Sequence, residues 1–271
     1  MVPDYDRTVG ALGRLVGLRV LEYSEMESIG RRGGMTWVGD GSIEVAEPIV
    51  DGHPAQRFLD RFGPGMHSLA FQVAELEATL AHLARSGIAV GARPLDWYCF
   101  TDPRTTGGLL FEWSERTVPE DPRTGASEPA FVSEPILRVR AQAFVGAVVP
   151  DPIGWAETFG ELLGLTETFR HPTAGVGHPV VGLAAPDSTL ALYAMPGRSS
   201  ELLWGAAHHR ARFHVLGLGV DDLELAYTAL TDAGIRVLWR DDRCVTVHPE
   251  DGGDVTVVVI EGLLPGDPRV D

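Results

Sequence analysis

Two stretches, GPGMHSLAFQVAELEATLAHLARSGIAV (Gly63–Val90) and RARFHVLGLGVDDLELAYTALTDAGIRV (Arg210–Val237), decide how this chain is read. Each passes from an apolar strand-like run through V-x-[DE]-L (Val73–Leu76 and Val220–Leu223) into a segment with Leu and Ala at helical spacing, and closes on G-I-x-V (Gly87–Val90 and Gly234–Val237). Period 2 giving way to period 3.6 marks a strand followed by a helix. His67 and His214 occupy the same place in the two copies. Internal repetition at this spacing means that one supersecondary unit is used several times.

Working outward, AQAFVGAVVPDPIGWAETFGELLGLTETF (Ala141–Phe169) is a third copy: strand, VPDP, helix, then LGL into a new strand. The N-terminal MVPDYDRTVGALGRLVGLRVLEY supplies VPDY, a helix and VGL, but no strand ahead of the helix. The downstream halves repeat too. FTDPRTTGGLLFEW (Phe100–Trp113) and VTVHPEDGGDVTVVV (Val245–Val259) each place a strand, a Pro-containing turn with paired glycines and a last strand, and paired Gly suits a reversal that needs positive φ. SIEVAE (Ser42–Glu47) and Ser188–Tyr193 read as the remaining last strands. The chain is thus four strand–helix–three-strand units, an α+β protein whose first unit lacks its first strand. Ser114–Pro135, rich in Pro, Ser and acid and without periodicity, reads as a linker. The expected boundaries are a first two-module domain over 1–115, a linker over 116–136, a second two-module domain over 137–265 and a tail over 266–271.

Composition narrows the function. A formal charge of −16 argues against nucleic acid, whose backbone requires clustered cations. All 22 basic residues are Arg, so lysine Schiff-base chemistry is excluded. Cys99 and Cys244 are the only cysteines and fall in separate halves, which argues against a disulfide framework or a thiolate zinc site. The apolar runs are far shorter than the roughly 20 residues of a membrane-spanning helix. The N-terminus carries early acids and no basic-then-apolar leader, so the expected location is the cytoplasm.

The order of elements and the motifs resemble the vicinal-oxygen-chelate superfamily, which includes glyoxalase I, extradiol dioxygenases, bleomycin resistance proteins and methylmalonyl-CoA epimerase. SIEVAEP, AQRFLDRFGPGMHSLAF and DPRTTGGLLFEW, between Ser42 and Trp113, resemble the epimerase-type members. The resemblance implies βαβββ modules paired into two curved mixed sheets, with one metal ligand on the first and one on the last strand of each module. Those positions fall on Glu44 and Glu112 on last strands and on Ser68 on the second module's first strand, with His67 one place away. The one-place offset turns His67 to the opposite strand face unless a bulge re-aims it. The corresponding positions of the second half are Phe144, Leu192, Val215 and Val257 or Val258, none of which binds metal.

The candidate site is therefore Glu44 and Glu112, as catalytic carboxylates and metal ligands, with His67 as a further ligand. Carboxylates facing a concave sheet bind divalent metal (Mg, Mn, Co, Zn or Fe) or exchange a proton at a carbon beside a carbonyl. The bland alternatives are a solvated strand face for the two Glu and a packing role for His67 and His214. Glu47 and Glu115, three places on, are expected to face solvent. His208 and His209 are a pair without a nearby acid. Trp37, Trp97, Tyr98 and Trp113 are expected as core or pocket wall.

Two functions follow from the resemblance. One is a divalent-metal-dependent isomerase, epimerase or lyase acting on a small carbonyl or acyl-thioester substrate, with Glu112 or Glu44 moving the α proton. The alternative is a non-catalytic small-molecule binding protein of the bleomycin-resistance type, its acidic surface favouring cations. The extradiol dioxygenase reading loses support, since it requires two His and a carboxylate in one cavity. The partner is a small molecule, without nucleic acid or membrane; a homodimer is compatible with either reading.

Overall fold

The structure, a computed structural model, describes residues 1–27, 30–116, 134–172, 179–185, 187–194 and 211–270. Most of the Ser114–Pro135 segment lies outside these, as do His208 and His209.

The four modules are present. The first is α1 (Tyr5–Val16), β1 (Arg19–Met26), β2 (Arg31–Val38) and β3 (Gly41–Pro48), followed by an extra helix α2 (Pro54–Phe62). The second is β4 (Leu69–Gln72), α3 (Leu76–Arg85), β5 (Val90–Leu95), β6 (Tyr98–Thr101) and β7 (Phe111–Ser114). The third is β8 (Ala141–Val149), α4 (Pro152–Phe159), β9 (Thr166–Pro172), β10 (Pro179–Ala184) and β11 (Thr189–Ala194). The fourth is β12 (Arg212–Val220), α5 (Leu223–Asp232), β13 (Val237–Arg240), β14 (Cys244–Val247) and β15 (Thr256–Glu261). In every module that has a first strand, that strand runs parallel to the last one: β4 with β7, β8 with β11, β12 with β15. The other pairings within each module are antiparallel hairpins, which is what a helical crossover followed by three meandering strands produces.

The sheets run β1-β2-β3, β4-β7-β6-β5 and β13-β14-β15-β12-β8-β11-β10-β9. Two compact units divide the chain: Met1–Met66 with 118–143 and Val215–Leu263, and His67–Thr117 with Phe144–His214 and Leu264–Asp271. This grouping places the first module with the fourth and the second with the third, and its boundaries cut β8 and β12.

In the first unit α1 buries Val9, Leu12, Leu15 and Val16 in one core with Leu216 and Leu218 of β12, Val257 and Val259 of β15, and Leu223 and Leu230 of α5. In the second unit Phe111 lies against Trp155 of α4 and Phe213, and Trp155 Nε1 donates to the Thr106 carbonyl at 3.2 Å. The segment expected as a tail is docked in this unit. The Asp267 side chain is fully buried, accepts from Thr189 Oγ1 at 3.0 Å and pairs with Arg269 at 2.7 Å.

Repeated caps explain why the module recurs. Asp4, Asp151 and Asp222 each accept a bond from a backbone N–H three residues on, capping α1, α4 and α5. The Gly of each VGL, LGL or G-I-x-V motif (Gly17, Gly164, Gly87, Gly234) has φ between 70° and 76°, the left-handed turn that carries the chain from helix into strand. Unpredicted from sequence is α2, whose half-buried Phe58, Leu59 and Phe62 recur at helical spacing with buried Ala55. Its nine residues are opened by Pro54 at the first helical position after the His53 cap, a signal the sequence did carry.

Candidate functional site

A glutamate recurs at or just past the end of three of the four last strands. Glu47 Oε2 accepts from the backbone N–H of Tyr5, the first residue of α1, at 2.8 Å, and from Arg32 Nε and Nη2 at 3.0 and 2.8 Å. Glu115 accepts from the N–H of Leu76, the first residue of α3. Glu261 accepts from the N–H of Leu223, the first residue of α5, at 3.5 Å. Glu47 and Glu115 were expected to face solvent. Glu115 is indeed exposed while Glu47 is half-buried, and both also clasp the start of their own module's helix, because that helix end leaves N–H groups unsatisfied and carries a partial positive charge.

The clasp identifies equivalent positions. Three residues before each clasp stand Glu44, Glu112 and Val258, and an odd step along a strand reverses the face. Val45 and Val257, beside two of these positions, sit in the core with α1 and α5, so Glu44 and Val258 belong to the face turned away from the helices. Of the two sequence candidates, Val258 is thus the equivalent position.

The three positions have different surroundings. Glu112 lies between Ala70 of β4 and Phe100 of β6 in register. Ala70 and Gln72 on this face are exposed, while Glu112 and Phe100 are half-buried. Val258, 3% exposed, lies between Gly217 of β12 and Thr246 of β14. Leu192, Val215 and Phe144, the other family positions of the second half, are buried as well. Glu44 faces Met35 of β2 and pairs with Arg31 Nη1 at 2.9 Å. Glu44 belongs to the first unit, and Glu112 and His67 to the second.

His67 departs from the strand-face argument. Its ring stands edge-on to Phe100, with centroids 6.0 Å apart, and Phe100 is the cross-strand neighbour of Glu112. Alternation does not govern His67 because β4 begins only at Leu69. The imidazole is therefore brought toward the edge of the Glu112 face. His214, its sequence counterpart, is a buried residue within β12, in agreement with a packing role. Trp97 packs at a tilt on buried Tyr98, with centroids 4.6 Å apart, and is covered by the Arg116 guanidinium at 5.5 Å. Trp37, Tyr98 and Trp113 are core residues.

The donor set does not fit a resident divalent metal. Among the described residues no three His, Cys, Asp or Glu side chains converge on one point. Glu44 is engaged by a cation of the chain itself. His53, near Arg31, uses Nδ1 to accept from the Ala55 N–H at 3.3 Å as the cap of α2. Burial, then the charges of Arg57 and Arg31, holds its imidazole below the ordinary value. The two cysteines are free; burial raises the Cys99 thiol, and burial with Asp241 pushes Cys244 up to about 12, so neither supplies a ready thiolate.

Comparison with known proteins agrees with this architecture. Residues 1–96 match the family model described as Glyoxalase/Bleomycin resistance protein/Dioxygenase superfamily. A mutant of 4-hydroxymandelate synthase from Streptomyces coelicolor superposes with a TM-score of 0.66 at 14% identity, over 98% of this chain and 92% of that one. A xylose isomerase-like TIM barrel/4-hydroxyphenylpyruvate dioxygenase fusion protein gives 0.61 at 12% identity, over 96% of this chain and 47% of that one. Methylmalonyl-CoA epimerase from Mycobacterium tuberculosis gives 0.40 at 21% identity, over 49% of this chain and 95% of that one. No curated protein matches the sequence. The family model thus covers the first 96 residues, and over nearly the whole chain the fold is the one shared with the 4-hydroxymandelate synthase structure. Among the described residues no helix is long and apolar enough to cross a membrane.

Proposed function

We propose that the chain is a small-molecule binding protein of the bleomycin-resistance type, which takes a planar cationic ligand on the sheet face of Glu112 without a metal. The observation that carries this reading is the setting of Glu112: a carboxylate on a partly open sheet face, beside Phe100 and, through it, His67. An aromatic ring next to an acid attracts a flat cation by stacking and by charge. The charge of −16 raises the local concentration of such ligands at low salt.

The test is a titration with planar cationic dyes, followed by the fluorescence of Trp97 and Trp113, at two salt concentrations and with or without EDTA. Binding weakens with salt and ignores EDTA. Glu112→Gln lowers the affinity by about tenfold, as expected for a charge-assisted contact of roughly 1.5 kcal/mol. Equal binding of a neutral isostere, or an unchanged affinity in Glu112→Gln, defeats the proposal.

The second reading, a metal-dependent isomerase, epimerase or lyase, is favoured by the approach of His67 to the Glu112 face. There Glu112 is the group that moves a proton beside a substrate carbonyl. Stoichiometric divalent metal surviving dialysis, and lost in both Glu112→Gln and His67→Ala, would select it over the first.

A further inference from the structure

We infer that Arg31 stands in for the divalent cation at the carboxylate of the first module, so that the Glu44 position is neutralised by the chain itself and excludes metal. The inference deepens the metal-independent reading above and is read separately from it, since ligand binding is followed at Glu112 and metal exclusion at Glu44.

Three observations carry it. Arg31 Nη1 and Glu44 Oε2 are 2.9 Å apart, with the Arg31 side chain 18% and that of Glu44 37% exposed. Both residues lie on one face of the β2–β3 hairpin: Met35 is opposite Glu44 and Arg31 is opposite Pro48, two pairs along the same face. A carboxylate at this position thus meets a thioether across the strand and a guanidinium along it. Finally, Arg31 is placed by its neighbour. Gly30 has φ +63°, and a Cβ there would stand 2.5 Å from the His53 ring, so only glycine lets the chain turn beneath that ring and enter β2 with Arg31 first.

The physical logic is charge for charge. A carboxylate at a metal position is held by the cation's positive charge, and a guanidinium supplies the same charge with directional N–H donors. Once Arg31 occupies an oxygen of Glu44, a metal must displace it, and Met35 offers no hard ligand in compensation.

The experiment uses the full chain and reads thermal unfolding with and without about 1 mM Mn²⁺, Co²⁺ or Zn²⁺, for wild type, Arg31→Met, Glu44→Gln and the double variant. The midpoint of the wild type is expected to be indifferent to the metals. Each single variant lowers it by about 2 °C, and the double variant falls no further than the worse single one, the mark of a coupled pair. Additive losses overturn the inference. So does a metal-induced rise in the wild type that Glu44→Gln abolishes. Should Arg31→Met fail to fold, Arg31→Lys, which keeps the charge, serves in its place: metal indifference is then expected to persist, and a metal response confined to Glu44-bearing chains overturns the inference.

Discussion

The Glu112 face of the second module and the Val258 face of the fourth occupy equivalent places in the same βαβββ unit, three residues before a glutamate that clasps the module's helix. One flanks its central residue with exposed Ala70 and half-buried Phe100; the other flanks it with Gly217 and fully buried Thr246. The backbone pattern is the same and the chemistry opposite. The module thus specifies where a central side chain stands, while its neighbours decide whether that place is wet, charged or closed. A buried apolar position gains on the order of 25 cal/mol per Å² of apolar surface removed from water, so the fourth module keeps stability where the second keeps an accessible carboxylate.

The strongest way to break this comparison is to exchange the central residues. Val258→Glu puts a carboxylate between Gly217 and Thr246 with no cation facing it in the sheet register, and is expected to cost at least about 3 kcal/mol and to reduce soluble, cooperatively folding protein. Glu112→Val, on the open face, is expected to leave the unfolding midpoint within about 2 °C of wild type. Equal losses in the two variants, measured by circular dichroism melting, would end the distinction between closed and open faces.

A smaller effect sharpens what the modules share. Removing the clasp in Glu47→Gln or Glu115→Gln is expected to cost about 1 kcal/mol, since each takes a charged acceptor from a helix start. Glu47→Gln should lose more, because Arg32 is left beside a neutral amide. Chemical denaturation of the two variants checks the order.

The smallest effect concerns pH. Burial works to raise the Asp267 carboxyl, but its bonds with Arg269 and Thr189 outweigh this and hold it below the ordinary carboxylate value. A depressed folded-state value means that this stabilisation is present above the unfolded-state value and is lost as pH falls through the folded one. Asp267→Asn should therefore differ from wild type at neutral pH and converge with it in urea melts only once pH falls through the folded-state value, itself below the unfolded Asp value near 3.9.

Motif repetition with periodicity revealed the four modules, because helix and strand impose different repeats on apolar residues and a V-x-[DE] ahead of each helix is followed by VGL, LGL or G-I-x-V after it. It also placed Glu44 and Glu112 on last strands. The expectations that failed did so for local reasons. Glu47 looks like a surface acid until the N–H of Tyr5 is seen to end beside it, and Glu115, exposed as expected, also holds the N–H of Leu76. His67 was judged by strand alternation, yet the strand starts two residues later. Nothing in the spacing of Arg31 and Glu44, 13 residues apart, announces their ion pair, since it depends on how the β2–β3 hairpin is registered.

The sequence by itself determined the repeated unit, its caps and turns, and the apolar character of the second half's family positions, because these are written in near-neighbour chemistry. Only the tertiary structure decided which acids serve a helix, which one is held by an arginine and which one stands on a partly open face. Those outcomes depend on strand register and on side chains brought together from distant parts of the chain.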